Sequence, residues 1–356
     1  MKSFLALATL AFGLVANVAS AGIAHADTAH PGDPRAGGPD VVLHGAGATF
    51  PAPLYRSWIA GFQKDRADIA VEYDAIGSGD GMARFVAGTV DFGASDAIPT
   101  KDTLARLDRE SVRIPGAAGM VVLAYNLPGV DGALRLPRDV YADILAGVIG
   151  RWDDARMVAA NPGLTLPHRA IALVARSDRS GTTWALTNHL SAISPRWSEG
   201  PGAASQIRWP DTAMLVRGNE GVASRIMISP GSIGYLEYGF AQRLGLKMAA
   251  LQNRSGAFVA PGEGSGQAAL GETIDAATGE IRPVLSDPAG GGAWPMVTYS
   301  WLMLYGQYHD AARRTALKSF VLWGLTRGQE RATALGYLTL PAAAVAQGRA
   351  ALERIH

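Results

Sequence analysis

Val41-Val42-Leu43-His44-Gly45-Ala46-Gly47-Ala48-Thr49-Phe50-Pro51 joins an apolar run to a glycine turn and then to a proline. Val41 to His44 reads as a strand. Proline suits the first turn of a helix, and Leu54, Trp58, Ile59 and Phe62 follow Pro51 at helical spacing. The stretch is therefore strand, turn and helix start. The first turn of a helix offers unpaired N–H groups and a positive dipole end, which together hold anions well.

The same pattern recurs down the chain. Ala70 to Tyr73 reads as a strand feeding Gly77-Ser78-Gly79-Asp80-Gly81, with Met82, Phe85 and Val86 beginning the next helix. Thr89 to Gly93 is a third short strand, ending at Ser95-Asp96. Ala170 to Ala175 is another, delivering Arg176-Ser177-Asp178-Arg179-Ser180-Gly181-Thr182 and a helix from about Thr182 through Leu190. Open α/β sheets place ligands at such strand ends. Thr49, Ser78, Ser180 and Thr182 bring hydroxyl donors, and Arg176 brings a planar fork suited to a tetrahedral oxyanion. Asp96 is the odd member, because a carboxylate repels an anion unless that anion carries a proton to donate. Phosphate does; sulfate does not. Other roles for these residues stay open at this point. Ser78, Ser180 and Asp96 suit helix caps, and Arg176 with Asp178 suits a surface pair of small energetic weight.

Elsewhere, Val121 to Tyr125 reads as a strand closed by Asn126-Leu127-Pro128-Gly129. Val140, Ile144, Leu145 and Val148 form one face of a helix. Ser232 to Leu236 and Met296 to Leu304 read as strands, Pro261 to Gly271 as a glycine-rich loop, and the C-terminal stretch as two helices. The length exceeds what one core comfortably supports, so two domains are expected.

Residues 1–26 have the form of a secretory signal: Lys2, an apolar run from Phe4 to Val18, and small-residue sites at Ala19-Ser20-Ala21 and Ala24-His25-Ala26. The run is too short to span a bilayer, and cleavage is expected after Ala26. The chain has no cysteine, so it carries neither a disulfide nor a lipidated cysteine, and a free periplasmic protein is expected. Without residues 1–26, which hold Lys2 and no acid, 31 basic and 31 acidic residues balance. No basic run exists, which argues against nucleic acid and anionic membranes as partners. The 43 glycines exceed the usual ~7% and, with 48% hydrophobic residues, indicate tight turns rather than disorder. The seven histidines show no metal spacing, so neither metal nor other cofactor is expected. Esterase, nucleotide and dinucleotide signatures are absent from the sequence.

With these motifs in order, the chain resembles the periplasmic phosphate-binding proteins of bacterial ABC importers. The motifs are GAGATFPAPLY at 45–55, GSGDG at 77–81, VDFGASD at 90–96, RWDD at 151–154 and NPGLTLP at 161–167. RSDRSGT at 176–182, GNEG at 218–221, IGYLEY at 233–238 and AWP at 293–295 complete the set. The resemblance implies a two-lobed α/β fold of the type II periplasmic-binding-protein kind, closing over one phosphate. One lobe is expected at 27–117 plus 293–356 and the other at 118–292. Carried over by position, the phosphate contacts fall on Thr49, Phe50 through its N–H, Ser78, Asp96, Arg176, Ser180, Gly181 through its N–H, and Thr182. Asp178 matches the acid that aims the arginine. A monomer that hands phosphate to membrane permease subunits is implied.

Two positions depart from the common pattern. Asp80 stands where many relatives have a small residue, and Arg179 where many have glycine. Asp80 lies four residues before Arg84, so an exposed helix pair is the expectation. The alternative is that Asp80 and Arg179 face each other near the cleft. A secreted phosphatase, or a phosphate sensor using the same pocket, is the alternative to a transport receptor. A phosphatase needs a nucleophile with a base or metals, and Ser78 and Ser180 have no evident base in the sequence.

Overall fold

The computed structural model describes residues 38–282 and 286–356. The signal segment expected at 1–26 lies outside the described residues, as do residues 27–37 after it. The chain runs through Val41–Gly47 (β1), Ala52–Asp65 (α1), Ile69–Ala75 (β2), Ser78–Val86 (α2), Phe92–Ser95 (β3) and Lys101–Leu104 (α3) into the long strand Ser111–Asn126 (β4). Arg135–Leu136 (β5), Arg138–Leu145 (α4), Ala155–Ala160 (α5), Ala172–Arg176 (β6), Gly181–Ile193 (α6) and Pro195–Glu199 (α7) follow. Next come Met214–Val216 (β7), Gly218–Ile228 (α8), Ser232–Glu237 (β8), Tyr238–Arg243 (α9), Lys247–Met248 (β9), Ala250–Gln252 (β10) and Phe258–Val259 (β11). Glu263–Gly271 (α10), Val297–Tyr305 (β12), Ala311–Leu325 (α11) and Ala342–Glu353 (α12) complete the chain.

The main sheet has the order β2-β1-β3-β12-β4-β8-β6-β7, with β9 also on β4. β1 runs parallel to β2 and β3, and β6 runs parallel to β7 and β8. β4 belongs to both halves. Its residues from Ser111 to Met120 pair antiparallel with β12, and those from Val121 to Asn126 pair antiparallel with β8. The fully buried Trp294 donates from its indole N–H to the Val121 carbonyl at 3.0 Å, where β4 passes from one half to the other. In one half, Phe62 and Phe320 meet edge-on at 5.4 Å between α1 and α11. In the other, the buried Trp152 sits 6.2 Å from Tyr125 and donates to the Gly231 carbonyl. Each such ring contributes about 2–3 kcal/mol of burial.

Several expectations shift. The strand expected from Val121 begins ten residues earlier. It takes in Pro115 and Gly116, and Gly116 is the extra residue of a bulge opposite Ser300 and Trp301. The third strand starts at Phe92 rather than Thr89, and Val148 lies past the end of α4 and is half exposed. The glycine-rich segment expected as a loop is a helix over Glu263–Gly271. Gly266 is used for close packing there, since a Cβ would lie 2.6 Å from Leu338 and 2.9 Å from the Met120 sulfur.

Candidate functional site

The C-terminal ends of β1, β3 and β6 and the starts of α2, α6 and α8 converge. The turn after β1 is fixed by Ala48 N–H on the Ala94 carbonyl (2.9 Å) and the Tyr73 hydroxyl on the Ala48 carbonyl (2.7 Å). It presents Thr49 and Phe50. Phe50 is fully buried, and its carbonyl accepts from the Tyr337 hydroxyl at 2.6 Å. Ser180 caps α6, accepting from Thr183 N–H at 3.1 Å, and is fully buried, as is Thr182 beside it. The capping role open to Ser180 is therefore realised. Ser78 is no cap: Gly77 holds that position, and Ser78 Oγ instead accepts from the N–H groups of Gly181 (3.1 Å) and Asp96 (3.3 Å). Nor is Asp96 a cap, because the next helix begins at Lys101 behind Thr100.

Arg176 and Asp178 are not a surface pair. Both side chains are about 1% exposed. Arg176 Nε donates to Asp178 Oδ1 at 2.7 Å and Nη2 to Oδ2, while Gly218 N–H also donates to Oδ1 at 3.2 Å. Burial alone would raise the Asp178 carboxyl, but the Arg176 hydrogen bond and charge hold it below the ordinary range. The third arm is different. Arg176 Nη1 is buried and has no hydrogen-bond partner among the described residues. A buried guanidinium N–H left unmatched is costly, so a ligand acceptor is the natural complement.

Asp96 is 2% exposed, with Ser300 Oγ donating to its Oδ1 at 2.7 Å. Burial pushes its carboxyl up to about 7, against the opposing effects of Ser300, the Arg176 charge and Thr182. Gly181 lies tight against it: a Cβ there would sit 2.5 Å from Ser78 Oγ and 2.7 Å from Asp96 Oδ2. All eight expected contact residues and Asp178 are thus brought to the junction of the two half-sheets.

The sequence reading missed four participants. Asn219, fully buried at the start of α8, bonds Thr49 and Thr182. Its GNEG stretch follows a strand into a helix, the same signal that marked the other turns. Ser300 lies inside an apolar strand with no local signal. Arg217 and Glu220 lie on the rim. There Asp80 pairs with Arg217 at 3.0 Å and stands 3.6 Å from Arg179, while Arg56 meets Glu220 at 3.0 Å. This corrects the expected Asp80–Arg84 helix pair, because Arg84 turns instead to Asp74 at 2.6 Å. A groove of about 780 Å³ opens beside Ser78 and Arg179, and one of about 170 Å³ beside Thr49 and Arg217. Among the described residues, no group of His, Asp and Glu could hold a metal ion.

Comparison with known proteins bears on what this junction is for. The PBP superfamily domain matches residues 28–327. Phosphate-binding protein PstS of Haemophilus influenzae is 38% identical over 302 residues, covering 84% of this chain and 89% of that one. The PstS of Xylella fastidiosa (strain Temecula1) is 37% identical over 302 residues, covering 85% and 82%. The chain belongs to the PstS family of phosphate-binding proteins. Its type II, two-lobed α/β architecture is that of the PBP superfamily. Among solved structures, the fold resembles a periplasmic phosphate-binding protein, PfluDING, bound with phosphate. That match has a TM-score of 0.71 at 21% identity and covers 86% of this chain and 93% of that one. The phosphate-binding protein from Stenotrophomonas maltophilia gives 0.66 at 20% identity, covering 87% and 93%. As a PstS family member, the chain places Asp80 and Arg179 at the rim rather than among the buried donors.

Proposed function

We propose that this protein captures inorganic phosphate between its two lobes and delivers it to the membrane permease of an ABC importer. The observation that carries the reading is the buried Arg176 Nη1, without a protein partner among the described residues, in a site that also holds the buried carboxylate of Asp96. One cationic donor and several hydroxyls match the charged oxygens of a tetrahedral anion. Asp96 matches its proton. The contacts are assigned to Thr49, Phe50 N–H, Ser78, Asp96, Arg176, Ser180, Gly181 N–H and Thr182, with Asp178 aiming Arg176.

The lobes are assigned to 27–117 plus 293–356 and to 118–292, with β4 and the segment before β12 as the crossings. Thr49, Ser78 and Asp96 lie on one lobe, and Arg176, Ser180 and Thr182 on the other. The anion therefore touches everything only when the lobes close, and it shifts the population toward closed. The permease reads that closed shape. The protein works as an exported monomer outside the cytoplasm, released from its signal at Ala26 and held by no lipid. It is a binding protein and not an enzyme: the site offers a cradle of donors and no activated nucleophile. Equilibrium dialysis with labelled phosphate tests the binding step, with arsenate competing. Loss of phosphate uptake on deletion tests delivery, and retained uptake with lost signalling would favour the sensor reading. Hydrolysis of a phosphate monoester by the purified protein would favour the phosphatase.

A further inference from the structure

The buried amide of Asn219 is bonded on every side. Its Oδ1 accepts from the Glu237 backbone N–H at 2.9 Å. That bond fixes which end of the amide is oxygen, so the NH₂ end must face the other way. There Nδ2 donates to Thr49 Oγ1 at 3.0 Å and to Thr182 Oγ1 at 3.3 Å, and the Asn219 backbone N–H adds a second bond to Thr49 Oγ1 at 3.2 Å. A threonine oxygen has two acceptor positions and one proton. Both acceptor positions on Thr49 are filled by Asn219, so the Thr49 proton has only one use left: donation into the site.

The geometry points to Asn219 as a positioning residue for phosphate, one that turns the Thr49 hydroxyl into an obligate donor at lobe closure. The inference rests on the phosphate reading above. Thr49 stands on the lobe of β1, whereas Asn219, Thr182 and Glu237 stand on the other. The bonds to Thr49 therefore form as the lobes meet. Gly218, at φ +69°, lets the start of α8 approach this closely, with a Cβ there only 3.3 Å from Thr49 Cγ2. Asn219 acts through Thr49 rather than on the anion itself.

The test is a double-mutant cycle read by calorimetric titration of the full exported chain with inorganic phosphate. Asn219→Asp keeps the shape and the acceptor for Glu237 N–H but replaces the donor. It should weaken binding ~10-fold or more when Thr49 is present. In a Thr49→Val background, the same change should cost at least ~3-fold less than with Thr49 present, because the hydroxyl it positions is gone and only direct repulsion by the new carboxylate remains. Acidification should restore affinity to Asn219→Asp more strongly with Thr49 present than in the Thr49→Val background, since the introduced carboxyl can donate to Thr49 again once protonated; direct repulsion alone predicts equal restoration in both. Circular dichroism of each variant checks folding, and Asn219→Ser serves if the aspartate variant does not fold. An equal cost with and without the Thr49 hydroxyl would overturn the inference. A parent that fails to bind phosphate would instead sink the functional reading beneath it.

Discussion

Replacing Asp80 with alanine tests whether the rim holds the lobes together. Asp80, on α2, faces two arginines that follow β7 and β6 in the other half of the sheet, at 3.0 Å and 3.6 Å. The three side chains are between 42% and 65% exposed, so each pair is worth only ~0.2–1 kcal/mol, and together they favour closure by about 0.5–1.5 kcal/mol. Binding requires closure, so this energy passes directly into affinity, and Asp80→Ala should weaken phosphate binding ~2- to 10-fold. An opposing effect exists, because removing a carboxylate near an anion site relieves repulsion. Two guanidiniums already neutralise Asp80 locally, so the closure term should win. Calorimetric titration at ~0.05 M and ~0.5 M salt separates them, because screening should erase most of the loss at high salt. Tighter binding at low salt, or no change at either, would show that the Asp80 pairs do not favour closure. Arg56→Ala, which breaks the third rim pair, that of α1 with Glu220 of α8, should show a smaller loss with the same salt signature.

Three further outcomes follow from the buried site. Arg176→Lys should lower phosphate affinity at least ~10-fold with the fold intact, because one ammonium cannot hold Asp178 and reach the anion together; calorimetry with circular dichroism checks it. Gly181→Ala should block full closure, since its Cβ would lie 2.5 Å from Ser78 Oγ, and a small-angle scattering profile that stays open with phosphate present is the expected readout. The ligand-free protein should lose thermal stability between about pH 6.5 and 8. Burial raises Asp96 to about 7 and Glu237 to about 8, so each contributes stability at low pH that is lost as pH rises through those values. Burial lowers His189 to about 4, and its opposing gain is complete by about pH 6.5. A melting temperature that rises across that window would contradict the assignment.

Much of this was legible from local pattern. The strand–turn–helix starts at Gly45, Gly77 and Arg176 declared themselves because proline, glycine and hydroxyl residues sit where helix ends need them. Asn219 carried the same signal in a shorter strand. Ser300 was invisible, since it lies 204 residues from Asp96 in the chain and reaches it only because β12 runs beside β3, in the antiparallel register that pairs Trp301 with Ser95. The glycines of α10 misled because residues that usually break a helix are here used for close packing. The partner of Asp80 was misread because the i,i+4 rule sees only its own helix, whereas the arginines that hold it follow β6 and β7 in the other half of the sheet.

A buried donor cradle with one carboxylate should accept a protonated tetrahedral anion and reject an unprotonated one. Calorimetric titration of the unmodified protein with phosphate and with sulfate, at about pH 8 where Asp96 is ionised, tests it most directly. Phosphate should bind one per chain. Sulfate should bind at least ~10⁴-fold more weakly, because it leaves the Asp96 carboxylate repelled and unpaired. Equal affinities for the two anions would contradict the account.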